Sequence, residues 1–270
     1  PPSAETFHPS GYLSPPSHAP IFLLLMEGAD EGANERHIRP HVNPLQRRFR
    51  EQEVDFDVAL DYHNKALPLH IDIGCAKGHF CSDLASSHPN LNVLGIEIRE
   101  ELVEESRRLL QLETVPNLRF LAGSANELIA PCVSALPLDR LASASILFPD
   151  PWPKRRHHKR RVTQPKLVRD LAVALDRGDG GDDVSDDILP QGFVFLQSDV
   201  EPLAQEMRDA FLSSGLFDPP PDADLDRATG WLREEARPFN GVRTERERIA
   251  LRRGSGVWRF SVFRNARPIL

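Results

Sequence analysis

From residue 66 onward, short apolar runs alternate with amphipathic stretches. ALPLHIDIG (66–74) reads as a buried strand, and KGHFCSDLASSHP (77–89) as a helix beginning near Lys77 with Phe80 and Leu84 on one face. The unit repeats. NLNVLGIEI (90–98) predicts a second strand, and REELVEESRRLLQLE (99–113) a helix with Leu102, Val103, Ser106, Leu109 and Leu110 at helical spacing. LRFLAGSA (118–125) and ASASILF (142–148) predict strands three and four, and PKLVRDLAVAL (165–175) a helix carrying Leu167, Leu171, Ala174 and Leu175. GFVFLQSD (192–199) is the fifth strand. The next helix presents Leu203, Met207, Ala210 and Phe211 and stops at Gly215. GVWRFSVFR (256–264) alternates in and out, with no helix after it. Strands alternating with helices of this length predict an α/β fold: a doubly wound, mostly parallel sheet with a late antiparallel strand.

Composition narrows the class. A chain of 270 residues, 40% hydrophobic and 27% charged, suits one sizeable α/β domain with additions, and the apolar run IFLLLM (21–26) is far too short to span a bilayer. Residues 1–36 are Pro- and Ser-rich, then acidic. They resemble neither a good secretory nor a good transit peptide and are expected to be a disordered extension, leaving 37–270 as the folded domain. Cys75, Cys81 and Cys132 are odd in number and lack CxxC spacing, which predicts three free thiols in a reducing compartment and no structural zinc or other metal.

The net charge of −7 hides a segregation. Residues 176–187 hold six aspartates and one arginine, and the acidic Gly-rich piece at 178–191 is expected to be a disordered surface insertion. Residues 154–161 hold six Lys/Arg and no acid, and a second basic region runs from Arg243 to Arg267. A basic run is often only a solvated face; two such runs shift the balance toward a polyanionic partner.

In a doubly wound sheet ligands sit at the carboxyl ends of the strands. At the first corner Asp72 closes a strand and Gly74 and Gly78 let backbone approach a ligand. Glu97 tips the next strand, 97 − 74 = 23 residues after Gly74, where an acid can accept both hydroxyls of a ribose. A dinucleotide or S-adenosylmethionine would each use such corners. GCAKGH lacks the third glycine of a dinucleotide fingerprint, and Asp72 would repel a pyrophosphate but suit the cationic methionine end of S-adenosylmethionine. At the third corner Ser124 and Asn126 offer partners for an adenine edge, or close a simple Asx or Ser turn. At the fourth, FPDPWPKRRHHKRR (148–161) sets Asp150 in a Pro-rich turn ahead of the cationic run.

FPDPWPKRRHHKRR, together with HVNPL (41–45), HIDIGCAKGHF, LGIEIR, QSDVEP (197–202) and TERE (244–247), resembles the tRNA (guanine(46)-N7)-methyltransferase family over about residues 37 to 265. The resemblance implies a class I S-adenosylmethionine-dependent enzyme acting on tRNA. It implies Asp150 as the catalytic residue and Asp72, Glu97, Ser124 and Asp150 along the cofactor; main-chain contacts from Gly74, Ile98, Ala125 and Leu147 are expected from their positions at the strand ends alone. It also implies Lys154, Asp199, Thr244 and Glu247 at the substrate. Arg155, Arg156, Lys159, Arg160 and Arg161 are expected on tRNA phosphates, which give affinity and register while the carboxylate addresses one extruded base. The chain departs from the family pattern at Ala76, usually Gly; at Ser124, usually Asp or Asn; and at Ser198, usually Thr.

Two other readings compete. A tRNA-binding protein with a decayed cofactor site has no use for acids facing its own basic groove, and a dinucleotide-dependent oxidoreductase explains neither FPDPW nor the basic run. The expected assembly is a monomer or homodimer, with a non-catalytic partner subunit left open. The sequence leaves the compartment unknown; a plastid is favoured, with cytoplasm or nucleus as alternatives.

Overall fold

The computed structural model describes residues 41–56, 60–110, 115–135, 141–175, 192–239 and 241–269. The N-terminal extension (1–36) and the acidic insertion (178–191) expected from the sequence lie outside them.

Seven strands form one sheet: β1 (Leu69–Ile73), β2 (Asn92–Glu97), β3 (Leu118–Ala122), β4 (Leu141–Leu147), β5 (Phe193–Ser198), β6 (Phe217–Asp218) and β7 (Trp258–Arg264). Their spatial order is β3-β2-β1-β4-β5-β7-β6. β1 to β5 run parallel, and β7 runs antiparallel to both β5 and β6. The strand order reverses between β1 and β4, which places the ligand crevice beyond the carboxyl ends of those two strands. Among the described residues the helices of eight residues or more are α1 (His79–Ser87), α2 (Glu100–Leu109), α3 (Ala125–Ser134), α4 (Pro165–Ala174), α5 (Glu201–Ser213) and α6 (Glu245–Arg252). Among the described residues no helix is long and apolar enough to cross a membrane.

The pleat sorts each strand between two cores. Leu69, Ile71 and Ile73 of β1 join Ile129 of α3, Leu171 of α4 and Met207 of α5 in one cluster. Phe193 and Phe195 of β5 join Phe80 and Leu84 of α1, Val103 of α2 and Phe239 in the other. Helix α2 carries Glu100 and Glu101 in its first turn and Arg107 and Arg108 in its last, complementing its dipole. Its predicted apolar face is narrower than the periodicity suggests: Leu102, Val103, Ser106 and Leu110 are buried, whereas Leu109 is exposed. Helix α1 starts at His79, later than expected, because Gly78 occupies the left-handed region at φ 71°.

Helix α3 was not anticipated from the sequence. It contains Pro131, which removes one helical donor and disguises the segment as a loop. The late strand is confirmed as antiparallel, trimmed to Trp258–Arg264.

Candidate active site

Two adjoining cavities open over the β1/β4 switch point. The first is lined by Gly74, Glu97, Ile98, Ser124, Ala125 and Asn126, among others. Gly74 has φ 85°, and a Cβ added there would meet no atom within 4 Å, so the residue leaves open space on the cavity wall. Ala76, where the family favours glycine, sits at φ 50°. Its amide reaches back to donate to Glu97 Oε2 at 3.0 Å. Glu97 is 3% exposed. It also accepts the Arg99 amide (3.0 Å) and, on its two oxygens, Arg99 Nε (2.9 Å) and Nη2 (3.1 Å). Ser124 and Ala125 start α3, Ser124 as its cap position without a side-chain capping bond. Asn126 Nδ2 donates to the Val162 carbonyl at 2.9 Å, while its Oδ1 is buried with no hydrogen-bond partner.

The second cavity is lined by Asp72, Leu147, Asp199, Thr244 and Arg246, with Lys77 and His79 on its rim. Asp72 belongs to a buried polar chain. Ser145 Oγ donates to Asp72 Oδ1 at 2.6 Å, and Cys81 Sγ donates to Oδ2 at 3.4 Å. Because the Ser145 hydrogen is spent on Asp72, its oxygen accepts from His70 Nε2 (3.0 Å), leaving Nδ1 to accept from Ser143 Oγ (2.8 Å). Burial pushes Asp72 up to about 6 against the bond from Ser145, and pushes His70 down to about 3. Histidine is therefore neutral and Asp72 ionised at neutral pH. All three cysteines are unpaired and buried, as expected.

Asp150 stands where the cavities meet; among the described residues it is the carboxylate that lines both. It is flanked by two non-glycine residues in the left-handed region, Phe148 (φ 51°) and Trp152 (φ 41°). Such conformations cost of order 1–2 kcal/mol each and persist only where the surroundings over-determine them. Here the Phe148 amide is tied to the Gln197 carbonyl at 2.8 Å, and Trp152 is held under Arg160, whose guanidinium carbon lies 5.0 Å from the ring centroid. Pro149, Pro151 and Pro153 restrict the remaining torsions. His41, from the HVNPL segment, meets Asp150 and lies 5.7 Å from the Trp152 ring centroid.

The basic run forms a 3₁₀ helix over Arg155–Arg160 and divides by direction. Lys154, Arg155, Arg156 and Lys159 are exposed. Arg160 covers Trp152 and borders the first cavity. Arg161 turns inward: its side chain is 11% exposed, pairs with Glu206 and donates from Nε to the Pro151 carbonyl at 2.8 Å. It braces the FPDPW turn instead of presenting charge to solvent.

Of the expected substrate residues, Asp199 lines the second cavity and is paired with Arg246 (Nε to Oδ2, 2.8 Å). Thr244 lines the second cavity and caps α6, its Oγ1 accepting the Glu247 amide at 3.0 Å. Glu247 is fully buried and offers a ligand no surface; Arg237 (3.2 Å), Arg243 (2.9 Å) and Arg259 (2.9 Å) surround it. Its position serves the wall that carries Thr244 and Arg246. His41, Arg99, Trp152 and Arg246 line the cavities without an individual role read from the sequence, although each lies in a quoted motif: HVNPL, LGIEIR, FPDPW and TERE.

These residues fit the S-adenosylmethionine that the resemblance implies. An acid stands at the tip of β2 for the ribose, an unpartnered buried acceptor on Asn126 suits the adenine amino group, Gly74 leaves room for the main body, and ionised Asp72 suits the ammonium end.

A family model described as "Putative methyltransferase" matches residues 66–260. A protein of Synechocystis sp. named tRNA (guanine-N(7)-)-methyltransferase is 43% identical over 210 residues, covering 78% of this chain and 89% of its own. One of the same name from Microcystis aeruginosa is 40% identical over 227 residues, covering 84% and 97% respectively.

Proposed function

Given that the chain belongs to the tRNA (guanine-N(7)-)-methyltransferase family, we propose that it methylates N7 of the variable-loop guanosine at tRNA position 46, with Asp150 addressing the base. The observation that carries this reading is the place of Asp150: one carboxylate in a strained, Pro-restricted turn, bordering both the first cavity, lined by Glu97, Asn126 and Arg160, and the second, lined by Asp199 and Thr244.

S-adenosylmethionine supplies an electrophilic methyl group. Guanine N7 has an in-plane lone pair and needs no deprotonation, so the protein's work is to position and to stabilise charge. Asp150 accepts from the guanine N1–H and amino group, or stabilises positive charge as the ring becomes methylated. Glu97 holds the ribose hydroxyls, Ser124 and Asn126 face the adenine, and Asp72 pairs with the ammonium group. Lys154, Arg155, Arg156 and Lys159 meet tRNA phosphates from the exposed side of the 3₁₀ helix. Asp199 and Thr244 form the far wall of the base pocket.

Transfer of labelled methyl from S-adenosylmethionine to unmodified tRNA, mapped by chain cleavage at N7-methylguanosine, tests the proposal. Label confined to position 46, and lost when that guanosine is replaced by adenosine, supports it; label elsewhere, or none, overturns it. A plastid address belongs to the same proposal. Fluorescence microscopy of the tagged protein in plant cells tests that part: signal confined to chloroplasts supports it, and signal confined to cytoplasm or nucleus overturns it.

A further inference from the structure

We infer that the Arg99 guanidinium is a placeholder for the ribose diol of the cofactor: it occupies the two acceptor positions on Glu97 that vicinal hydroxyls would take, and leaves when they arrive. The inference rests on the reading of Glu97 as ribose acceptor and adds to it a competing side chain within the protein.

A carboxylate has about four lone-pair positions. On Glu97 four donors are in place. Oε1 receives the Arg99 amide at 3.0 Å and Arg99 Nε at 2.9 Å; Oε2 receives the Ala76 amide at 3.0 Å and Arg99 Nη2 at 3.1 Å. The carboxylate is 3% exposed, so a fifth and sixth donor have no approach while all four remain.

The four donors are of two kinds. The amides of Ala76 and Arg99 belong to backbone fixed by the β1–α1 corner, where Gly74 and Cys75 amides both bond the Ile96 carbonyl, and by the start of α2. They orient the carboxylate permanently. The other two come from one planar fork, a pair of adjacent donors spread over both oxygens on a long side chain that is 24% exposed. A ribose diol is likewise a pair of adjacent donors. One fork for one diol is a balanced exchange, with every acceptor position filled before and after.

The displaced guanidinium has somewhere to go. Arg99 and Asp150 each border both cavities. Moving toward Asp150 keeps it paired and avoids stranding a cation in a partly buried wall. Cofactor arrival would then change the surroundings of the acid that addresses the base.

Calorimetric titration of the full chain with S-adenosylhomocysteine and with its 2′,3′-dideoxy counterpart tests the inference. Arg99→Ala should bind S-adenosylhomocysteine about tenfold tighter than wild type, as expected when one charge-assisted competitor is removed, with no gain for the dideoxy ligand. Arg99→Lys, which keeps one donor and the charge, should show part of the gain and provides the same test should the alanine variant fold poorly. Equal or weaker binding of S-adenosylhomocysteine by both variants, or an equal gain for both ligands, overturns the placeholder role. Glu97→Ala separates the two layers: unchanged affinity there overturns the ribose reading itself, whereas a loss there with no gain in the Arg99 variants overturns the placeholder alone.

Discussion

His41 Nδ1 lies 2.9 Å from Asp150 Oδ2, with the two side chains 55% and 44% exposed. A pair this open to water contributes little by itself. It shows that the carboxylate is reachable from solvent and already accepts a donor along the cavity rim. We expect Asp150→Asn to lower methyl transfer by a hundredfold or more, about 3 kcal/mol of transition-state stabilisation, while tRNA affinity is kept or improved. His41→Ala removes only the exposed partner and should cost less than about tenfold. Single-turnover rates for both variants check this, and near-normal transfer in Asp150→Asn would rule out the assigned role.

The basic run should behave as two populations. Replacing Arg155 and Arg156 with alanine is expected to weaken binding of every tRNA alike and to flatten the dependence of log affinity on log salt by roughly one to two units. Arg161→Ala should leave that slope at its wild-type value and instead lower stability, because its guanidinium ties Glu206 to the Pro151 carbonyl. Affinities measured at several salt concentrations, beside urea melts, separate the two.

Glu247 gives the sharpest contrast between a stability role and a substrate role. Removing its carboxylate leaves Arg237, Arg243 and Arg259 to share the more exposed Glu234 as their remaining counter-charge. Because Glu234 still faces the arginines, Glu247→Ala should cost up to about 3 kcal/mol of stability, at the low end for breaking a buried ion pair from one side. Chemical denaturation reads the loss; a variant as stable as wild type would return Glu247 to the list of substrate contacts.

Asp72 and His70 oppose each other in acid. His70 is lowered from 6.5 to about 3, so the stability it contributes is complete above 6.5 and is lost as pH falls toward 3. Asp72 is raised from 3.8 to about 6, so its contribution is complete below 3.8 and is lost as pH rises through 6. Between pH 4 and 6 the two slopes offset. Asp72→Asn deletes only the second, and stability should then fall more steeply on acidification through that window, by up to about 1.4 kcal/mol per pH unit. Urea midpoints between pH 4 and 7 test the sign.

Ala76 at φ 50° stands where the family prefers glycine. A left-handed alanine costs of order 1 kcal/mol, more than the extra freedom a glycine gives the unfolded chain. Ala76→Gly should therefore stabilise the protein by up to about 1 kcal/mol; a lower melting temperature would refute this.

Strand-tip acids were legible because a continuous apolar run followed by a lone carboxylate marks the end of a buried parallel strand. Asp72, Glu97 and Asp150 all follow that pattern, and all three line the cavities. Direction was not legible. Arg156 and Arg161 look alike in a run of cations, yet one is exposed and the other is turned inward by Glu206, 45 residues on. The same holds for Glu247, whose burial depends on arginines at 237, 243 and 259 converging through the fold. Arg99 was hidden for a different reason: reading Glu97 as an acceptor for ligand took no account of donors the chain itself supplies.

The interleaving of β7 between β5 and β6 has a consequence for biosynthesis. A ribosome releases β5 long before β7, and until Trp258–Arg264 has emerged β5 presents Phe193, Val194, Phe195 and Leu196 along an unpaired edge, while β6 has no partner at all. That edge is apolar, β-prone and uncharged, the composition most apt to pair with another nascent chain. The sheet is completed only when β7 pairs with β5 on one side and β6 on the other, so the parallel half can form during synthesis, whereas the far half folds late.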